Sequence, residues 1–303
     1  MAGQYSAILA TDYNVIQSKV ALVLGSGTGN TGYGQTVVSN QVTSRTNITY
    51  TQWNNLRTDL LKARQHQTGN DMSGFLNVAN ATKNITEADR TAFNEMATDA
   101  QDQTNRLATP PAGEATRENL VGVQQRSTPW QGSLTQTVTV TFADANAARY
   151  FFNTGSQIEF KMSRTLGTNN TKNNTWTTML DSEVGPGHSG MGVINFKHNS
   201  TSCTGSGDPA ETIGYYQLDT TDKVIFQKLA PAGDYADNRF FILAKKGNIG
   251  LEQIIFTISL QDASGGPIDE NPDGLLTSTV QVYYATGDNV SVLKPPATTT
   301  GIA

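Results

Sequence analysis

Three histidines, His66, His188 and His198, are the side chains best placed for proton transfer or metal binding near neutral pH. His188 and His198 share a stretch with Asp181, Glu183 and Asp208. Imidazoles and carboxylates together can ligate a divalent cation, but this spacing follows no zinc pattern, and scattered polar loop residues produce such groups more often. Asp269-Glu270-Asn271-Pro272-Asp273-Gly274 offers hard oxygen ligands suited to calcium without EF-hand spacing, and reads better as a solvated turn. Gly27-Thr28-Gly29-Asn30-Thr31-Gly32 has the form of a dinucleotide fingerprint. The fingerprint works only between a strand and a helix, whereas these glycines follow a helical run, so a close-packing connector is expected. No Gly-x-Ser-x-Gly elbow occurs, and carboxylate pairs cannot be assigned as acid and base without geometry. The expectation is therefore no catalytic residues, no cofactor and no metal site.

Bulk properties narrow the remaining classes. Hydrophobic residues are 37% and charged residues 16% of 303, against about 45–50% and about 25% in average globular chains. Thr, Asn, Gln, Ser and Gly fill the difference, as in β-rich proteins with polar, weakly charged surfaces. The net charge of −5 and the lack of a basic stripe argue against nucleic-acid binding, which needs clustered positive charge to neutralise phosphates. No apolar run reaches 18 residues, so no membrane insertion is expected. Met1-Ala2-Gly3-Gln4-Tyr5 lacks the basic and apolar regions of a secretion signal. The Asn-x-Ser/Thr triplets at Asn47, Asn80, Asn84, Asn169, Asn173, Asn199 and Asn289 are then compositional rather than glycosylation sites. Cys203, the single cysteine, allows no intrachain disulfide and fits folding in a reducing cytoplasm.

Apolar spacing sets the elements that would carry these residues. Ile16, Val20, Val23 and Leu24 predict a helix over 12–24, capped by Thr11 or Asp12 and ended by Gly25 entering the left-handed region. Val37, Val38 and Val42 fit a short helix or a strand equally. Trp53, Leu56, Leu60 and Ala63 or Arg64 share one face of a helix from Thr51 to Gly69, with Arg57, Asp59 and Lys62 facing elsewhere. His66 falls in its last turn, where a positive charge suits the helix dipole. Phe93, Met96, Ala97, Ala100 and Leu107 form a thin stripe over 87–107, started by Thr86 with Asp89. Pro110-Pro111 then breaks the pattern.

Beyond Pro129 the period becomes two. Alternation in Leu134–Phe142 predicts a half-buried strand, and further strands are expected near 157–162, 193–196, 212–216, 223–228, 239–245, 253–260 and 279–284. The fold class expected is α+β: an N-terminal α-helical region followed by an antiparallel β-sandwich, jelly-roll-like. The boundaries are 1–108 for the helical region, 109–130 for a linker, 131–293 for the sandwich and 294–303 for an extended tail.

Several motifs resemble those of virion structural proteins from tailed bacteriophages, in particular contractile-tailed phages of cyanobacteria and other marine bacteria. They are Tyr13-Asn14-Val15-Ile16-Gln17-Ser18-Lys19-Val20, Gly32-Tyr33-Gly34-Gln35, and Trp53-Asn54-Asn55-Leu56-Arg57-Thr58-Asp59-Leu60 through Ala63-Arg64-Gln65-His66-Gln67-Thr68-Gly69. Later ones are Thr128-Pro129-Trp130-Gln131-Gly132-Ser133-Leu134-Thr135-Gln136, Arg149-Tyr150-Phe151-Phe152-Asn153-Thr154-Gly155 and Asn174-Thr175-Trp176-Thr177-Thr178-Met179-Leu180. The resemblance thus spans most of the chain. It implies a non-enzymatic, multicopy component of the neck, tail or fibre apparatus, made in the host cytoplasm and located in the virion. Its partners would be copies of itself, as a homotrimer, and other virion proteins. On this reading Trp53, Leu56 and Leu60 face a partner helix, Arg57 and Arg64 bridge subunits, and Phe93 and Met96 extend the assembly interface. The alternative is a receptor-binding sandwich that stacks host surface glycan on Trp130, Trp176, Tyr215, Tyr216, Tyr283 and Tyr284.

Overall fold

The structure, a computed structural model, describes residues 8–76, 85–104, 109–197, 200–212, 218–247, 252–263 and 271–303. The chain is α+β, with N-terminal helices followed by two antiparallel sheets. It divides into two compact units. The first comprises Met1–Thr116, Arg149–Ser156 and Tyr284–Leu293; the second comprises Arg117–Ala148, Gln157–Tyr283 and Lys294–Ala303.

The first unit is built on α1 (Ala10–Leu24), α2 (Tyr50–Thr68) and α3 (Glu87–Gln103). Local chemistry fixes the helix ends. At α1, Asp12 sits inside the first turn and its carboxylate accepts the Leu9 N–H at 3.0 Å. Thr49 caps α2, with Gln52 reaching back to the Thr49 N–H at 2.6 Å, and Gly69 closes it at φ +69°. Thr86 and Asp89 make the same reciprocal pair at α3, so Asp serves where Glu or Gln is usual. Gly25 does not end α1 in the left-handed region, as expected, but at φ −78°. Glycine is needed there for space: a Cβ would come within 2.7 Å of the Ala21 carbonyl oxygen.

Three apolar faces meet in one core. Tyr13, Ile16, Val20 and Val23 of α1 pack with Trp53, Leu56 and Leu60 of α2 and with Phe93, Ala97 and Ala100 of α3. Trp53 lies edge-on to Tyr13, 5.2 Å between ring centres, and 5.0 Å from Phe93. The undecided segment around Val37–Val42 is neither helix nor strand. Side chains satisfy its backbone instead. Asp59 accepts from the N–H groups of Val38 and Ser39, and Asn14 bonds both the N–H and the carbonyl of Val42. Asp59, expected to face away from the apolar stripe, is therefore fully buried.

The strands, which belong to the second unit apart from Ala115–Thr116 and Tyr284–Ala285, are in chain order β1 (Ala115–Asn119), β2 (Gln124–Arg126), β3 (Gly132–Thr141), β4 (Gln157–Thr165), β5 (Ile194–Phe196), β6 (Thr201–Cys203), β7 (Asp208–Pro209), β8 (Lys223–Leu229), β9 (Arg239–Lys246), β10 (Gln253–Asp262), β11 (Leu275–Ala285) and β12 (Ala297–Thr299). One sheet runs β1-β11-β4-β5-β6, with β2 also on β11; the other runs β12-β3-β10-β9-β8-β7. Consecutive strands pair within a sheet in two runs, β4-β5-β6 and β7-β8-β9-β10, and the chain changes sheets between them. The alternation read in β3 buries Leu134, Gln136, Val138 and Val140. Phe256 of β10 meets Phe160 of β4 and Phe196 of β5 at 5.0 and 5.1 Å, which joins the inner faces of the two sheets.

Several elements depart from the reading. The stretch 109–130 is not a plain linker, since it contains a short 3-10 turn and strands β1 and β2. The segment 294–303 is not merely extended, since β12 pairs with β3. Helix α4 (Ala145–Asn153) carries Tyr150-Phe151-Phe152 in its second half, and α5 (Thr171–Met179) is a helix that no periodicity announces. Leu107 and residues 213–216 of the strand expected at 212–216 lie outside the described residues.

Candidate functional site

The glycine loop after α1 is the first place to look for a ligand. Gly27, Gly29, Gly32 and Gly34 all adopt positive φ, and a Cβ on Gly34 would lie 2.3 Å from the Tyr150 ring. A phosphate cradle turns backbone N–H groups inward. Here carbonyls turn toward protein donors. The buried Arg149 guanidinium donates to Gly29 O at 2.6 Å and Ser26 O at 2.7 Å. Asn153 Nδ2 donates to Asn30 O and Gly32 O at 3.0 and 2.9 Å. The loop is thus fastened by the C-terminal half of α4; Gly27, Gly32 and Gly34 allow close approach, while Gly29 needs glycine for its positive φ alone.

His66 is also structural. Its ring is fully buried, with Nε2 3.2 Å from Thr154 O and Nδ1 3.4 Å from Glu114 Oε2. Burial depresses its pKa, against the pull of Glu114 and the Thr154 carbonyl. The expected role as a charged partner of the α2 dipole is therefore corrected: desolvation disfavours the imidazolium there.

Of the grouped residues, His188, Asp181 and Glu183 come together, whereas Asp208 stands on β7 beside Gln227. Nδ1 is 2.7 Å from Asp181 Oδ2 and Nε2 is 3.4 Å from Glu183 Oε2. The Asp181 bond raises the His188 pKa. Burial works against the Asp181 carboxylate, but hydrogen bonds from the Glu183 N–H and His188 hold it below its usual range. Both imidazole nitrogens face carboxylates, an arrangement that favours the imidazolium and latches an exposed loop. His198 lies outside the described residues, as do Asp269 and Glu270. Among the described residues no three His, Cys, Asp or Glu side chains are grouped to hold a metal.

Asp273 shows where the calcium-like turn goes. Its carboxylate accepts from Thr168 N–H at 3.0 Å, Thr168 Oγ1 at 2.7 Å, Asn173 Nδ2 at 2.6 Å and Arg164 at 3.2 Å. The bonds from Thr168 lead the lowering of its pKa. A carboxylate so engaged ties the Leu166–Asn173 turn to the start of β11.

The expected assembly face is corrected. Trp53, Leu56, Leu60 and Phe93 are buried within their own unit, and Met96 packs against the same core. The helices that complement the α2 stripe belong to the same chain, so this face is not free for another. Arg57 donates to Phe75 O at 2.6 Å and to Ser73 O, bracing the segment after α2. Arg64 bonds Gln67 at 2.9 Å and stands 3.9 Å from Asp99. An open polar cleft of about 410 Å³ lies beside it, lined by Arg64, Gln67, Thr68, Asp99, Asp102 and Gln103. Such a lining lacks the apolar walls of a small-molecule site.

The expected stacking platform is likewise absent at the tryptophans. Trp130 and Trp176 are buried and lie edge-on to each other at 5.8 Å. Tyr283 is half-buried under the Arg117 guanidinium, which also pairs with Glu159 at 2.8 Å. Tyr215 and Tyr216 lie outside the described residues. No described helix is long and apolar enough to cross a membrane. The chain matches no known family model, no curated protein and no solved structure.

Proposed function

We propose that this chain is a non-enzymatic structural component of a tailed-bacteriophage virion, present in several copies in the neck, tail or fibre apparatus. One observation carries the reading: the motifs that resemble phage virion proteins are the joints of the fold. Tyr33 is buried and its hydroxyl accepts from Gln67; Gln35 bonds Ser291; Trp53 centres the helical core. Arg149, Tyr150 and Asn153 fasten the glycine loop, and Trp130 and Trp176 pack on each other. Residues that carry a resemblance are informative about function when they line a site. Here they hold architecture, which is what a particle component requires of its sequence.

The pairing of the ionisable groups supports the same reading. Lys172 and Asp262, both almost wholly buried, pair at 2.8 Å, and Arg164 is spent on Asp273. Such groups serve the fold. The glycan-binding alternative loses its two tryptophans and is not favoured by any other observation. The direct test is to image particles made with and without the gene. Loss of an ordered, symmetric feature is expected, and particles identical in form and composition would contradict the proposal.

A further inference from the structure

We propose that Lys294–Ala303 is an exchangeable strand, which the β3 edge of a second copy takes up in the assembled protein. The inference rests on the multicopy reading above and supplies it with a joint between copies.

Strand β3 needs a partner on the edge that β10 leaves open. Its sequence, Gly-Ser-Leu-Thr-Gln-Thr-Val-Thr-Val-Thr, carries no charge to guard that edge. Within one chain the edge is filled by 294–303. Thr141 N–H donates to Pro296 O at 2.9 Å, Thr300 N–H to Thr137 O at 3.0 Å, and Thr135 and Ala303 exchange bonds at 2.7 and 3.0 Å. Thr299 Oγ1 accepts from the inward-facing Gln136 at 2.9 Å, and Arg126 donates to Ile302 O at 3.3 Å. Ile302 is the apolar anchor, 6% exposed. Lys294 bonds Asn119 O and faces Glu118. Every one of these groups belongs to the second unit, so a second copy offers the segment an identical seat.

The hinge argues for exchange. The chain passes from the first unit to the second between Leu293 and Lys294. Leu293 is 88% exposed, the most exposed large apolar side chain among those described. Pro295 and Pro296 follow and favour an extended path, since each fixes its own φ and restricts the residue before it. Exchange leaves the strand ladder unchanged and costs little beyond association.

The test uses the full chain carrying Cys203→Ser, Thr139→Cys and Thr298→Cys. Thr139 and Thr298 face each other in register. A facing, hydrogen-bonded antiparallel pair has Cα atoms about 5.5 Å apart, within the disulfide range. After oxidation, denaturing electrophoresis without reductant should show most chains linked to another chain, at two or more times 32.5 kDa. Chains linked only internally overturn the proposal, and so does the absence of any link, because the strand would then not lie on β3. Edge-to-edge pairing of intact copies gives the internal link and counts against it. Should the double variant fold poorly, differently tagged Thr139→Cys and Thr298→Cys chains, both with Cys203→Ser, are co-expressed. A mixed disulfide between tags is expected, and its absence overturns exchange. Light scattering on the same samples separates the two claims. A multimer with internal links removes exchange and keeps the structural reading, whereas a monomer removes both.

Discussion

His188 shows how a residue suited to chemistry can be occupied by structure. Its pKa is raised, chiefly by the hydrogen bond to Asp181, while the Asp181 carboxylate is held low. A histidine with a raised folded pKa gives stability that is full below its unfolded pKa and fades as pH rises through the folded one. A carboxylate with a lowered folded pKa gives stability that is full above its unfolded pKa and fades as pH falls through the folded one. The latch is therefore strongest between the two titrations, in mildly acidic solution, and weakens as pH rises from about 6.5 through the folded pKa of His188. NMR titration should place His188 above the free-histidine value of about 6.5, and Asp181→Asn should bring it down. A His188 pKa at or below that value in the unaltered chain would contradict the latch. The sequence makes the proximity of Asp181, Glu183 and His188 legible, because a short loop keeps them close. It hides the burial of Asp59, since its partners are backbone N–H groups 20 and 21 residues upstream.

Elements with long periodic stretches were readable, and short or side-chain-supported ones were not. Alternation alone marks β3, and helical spacing alone marks α2. Helix α5, Thr-Lys-Asn-Asn-Thr-Trp-Thr-Thr-Met, is built mostly of weak helix formers, its four Thr and two Asn. It forms because Asn170 caps it and because Trp176 and Met179 are buried, neither of which periodicity reports. The glycine loop is the reverse case: its composition was conspicuous, but its purpose depends on Arg149, 120 residues away. Bonds to a charged donor are worth about 1.5–3 kcal/mol each. Water can reach Ser26 and Gly29, so Arg149→Met should cost less than two full bonds, roughly 2 kcal/mol in urea unfolding. Amide exchange over residues 25–34 should quicken in the same variant. An unchanged midpoint with unchanged exchange would show that the loop holds its form without the guanidinium.

At the scale of the molecule, the division into helical and β parts was legible because the period of apolar residues changes after Pro129. Which distant segments complete each part was not legible. Arg149–Ser156 and Tyr284–Leu293 belong to the first unit although the surrounding chain belongs to the second. Val290, buried in the helical core, and Glu114, bonded to Asn289, have no local signal for these positions. The same limit explains the corrected assembly face. An apolar stripe such as Trp53, Leu56 and Leu60 states that something must cover it, and only the fold shows that α1 and α3 of the same chain do. On the proposed multicopy reading, association between copies uses other surfaces, and the strand 294–303 on β3 offers one. The central claim is that this is a multicopy structural protein, and the mass of the purified full chain in solution tests it most directly. Light scattering across a range of micromolar concentrations should give a stable mass that is a multiple of 32.5 kDa, with three copies as the expected number. A mass fixed at one chain throughout that range would contradict the account.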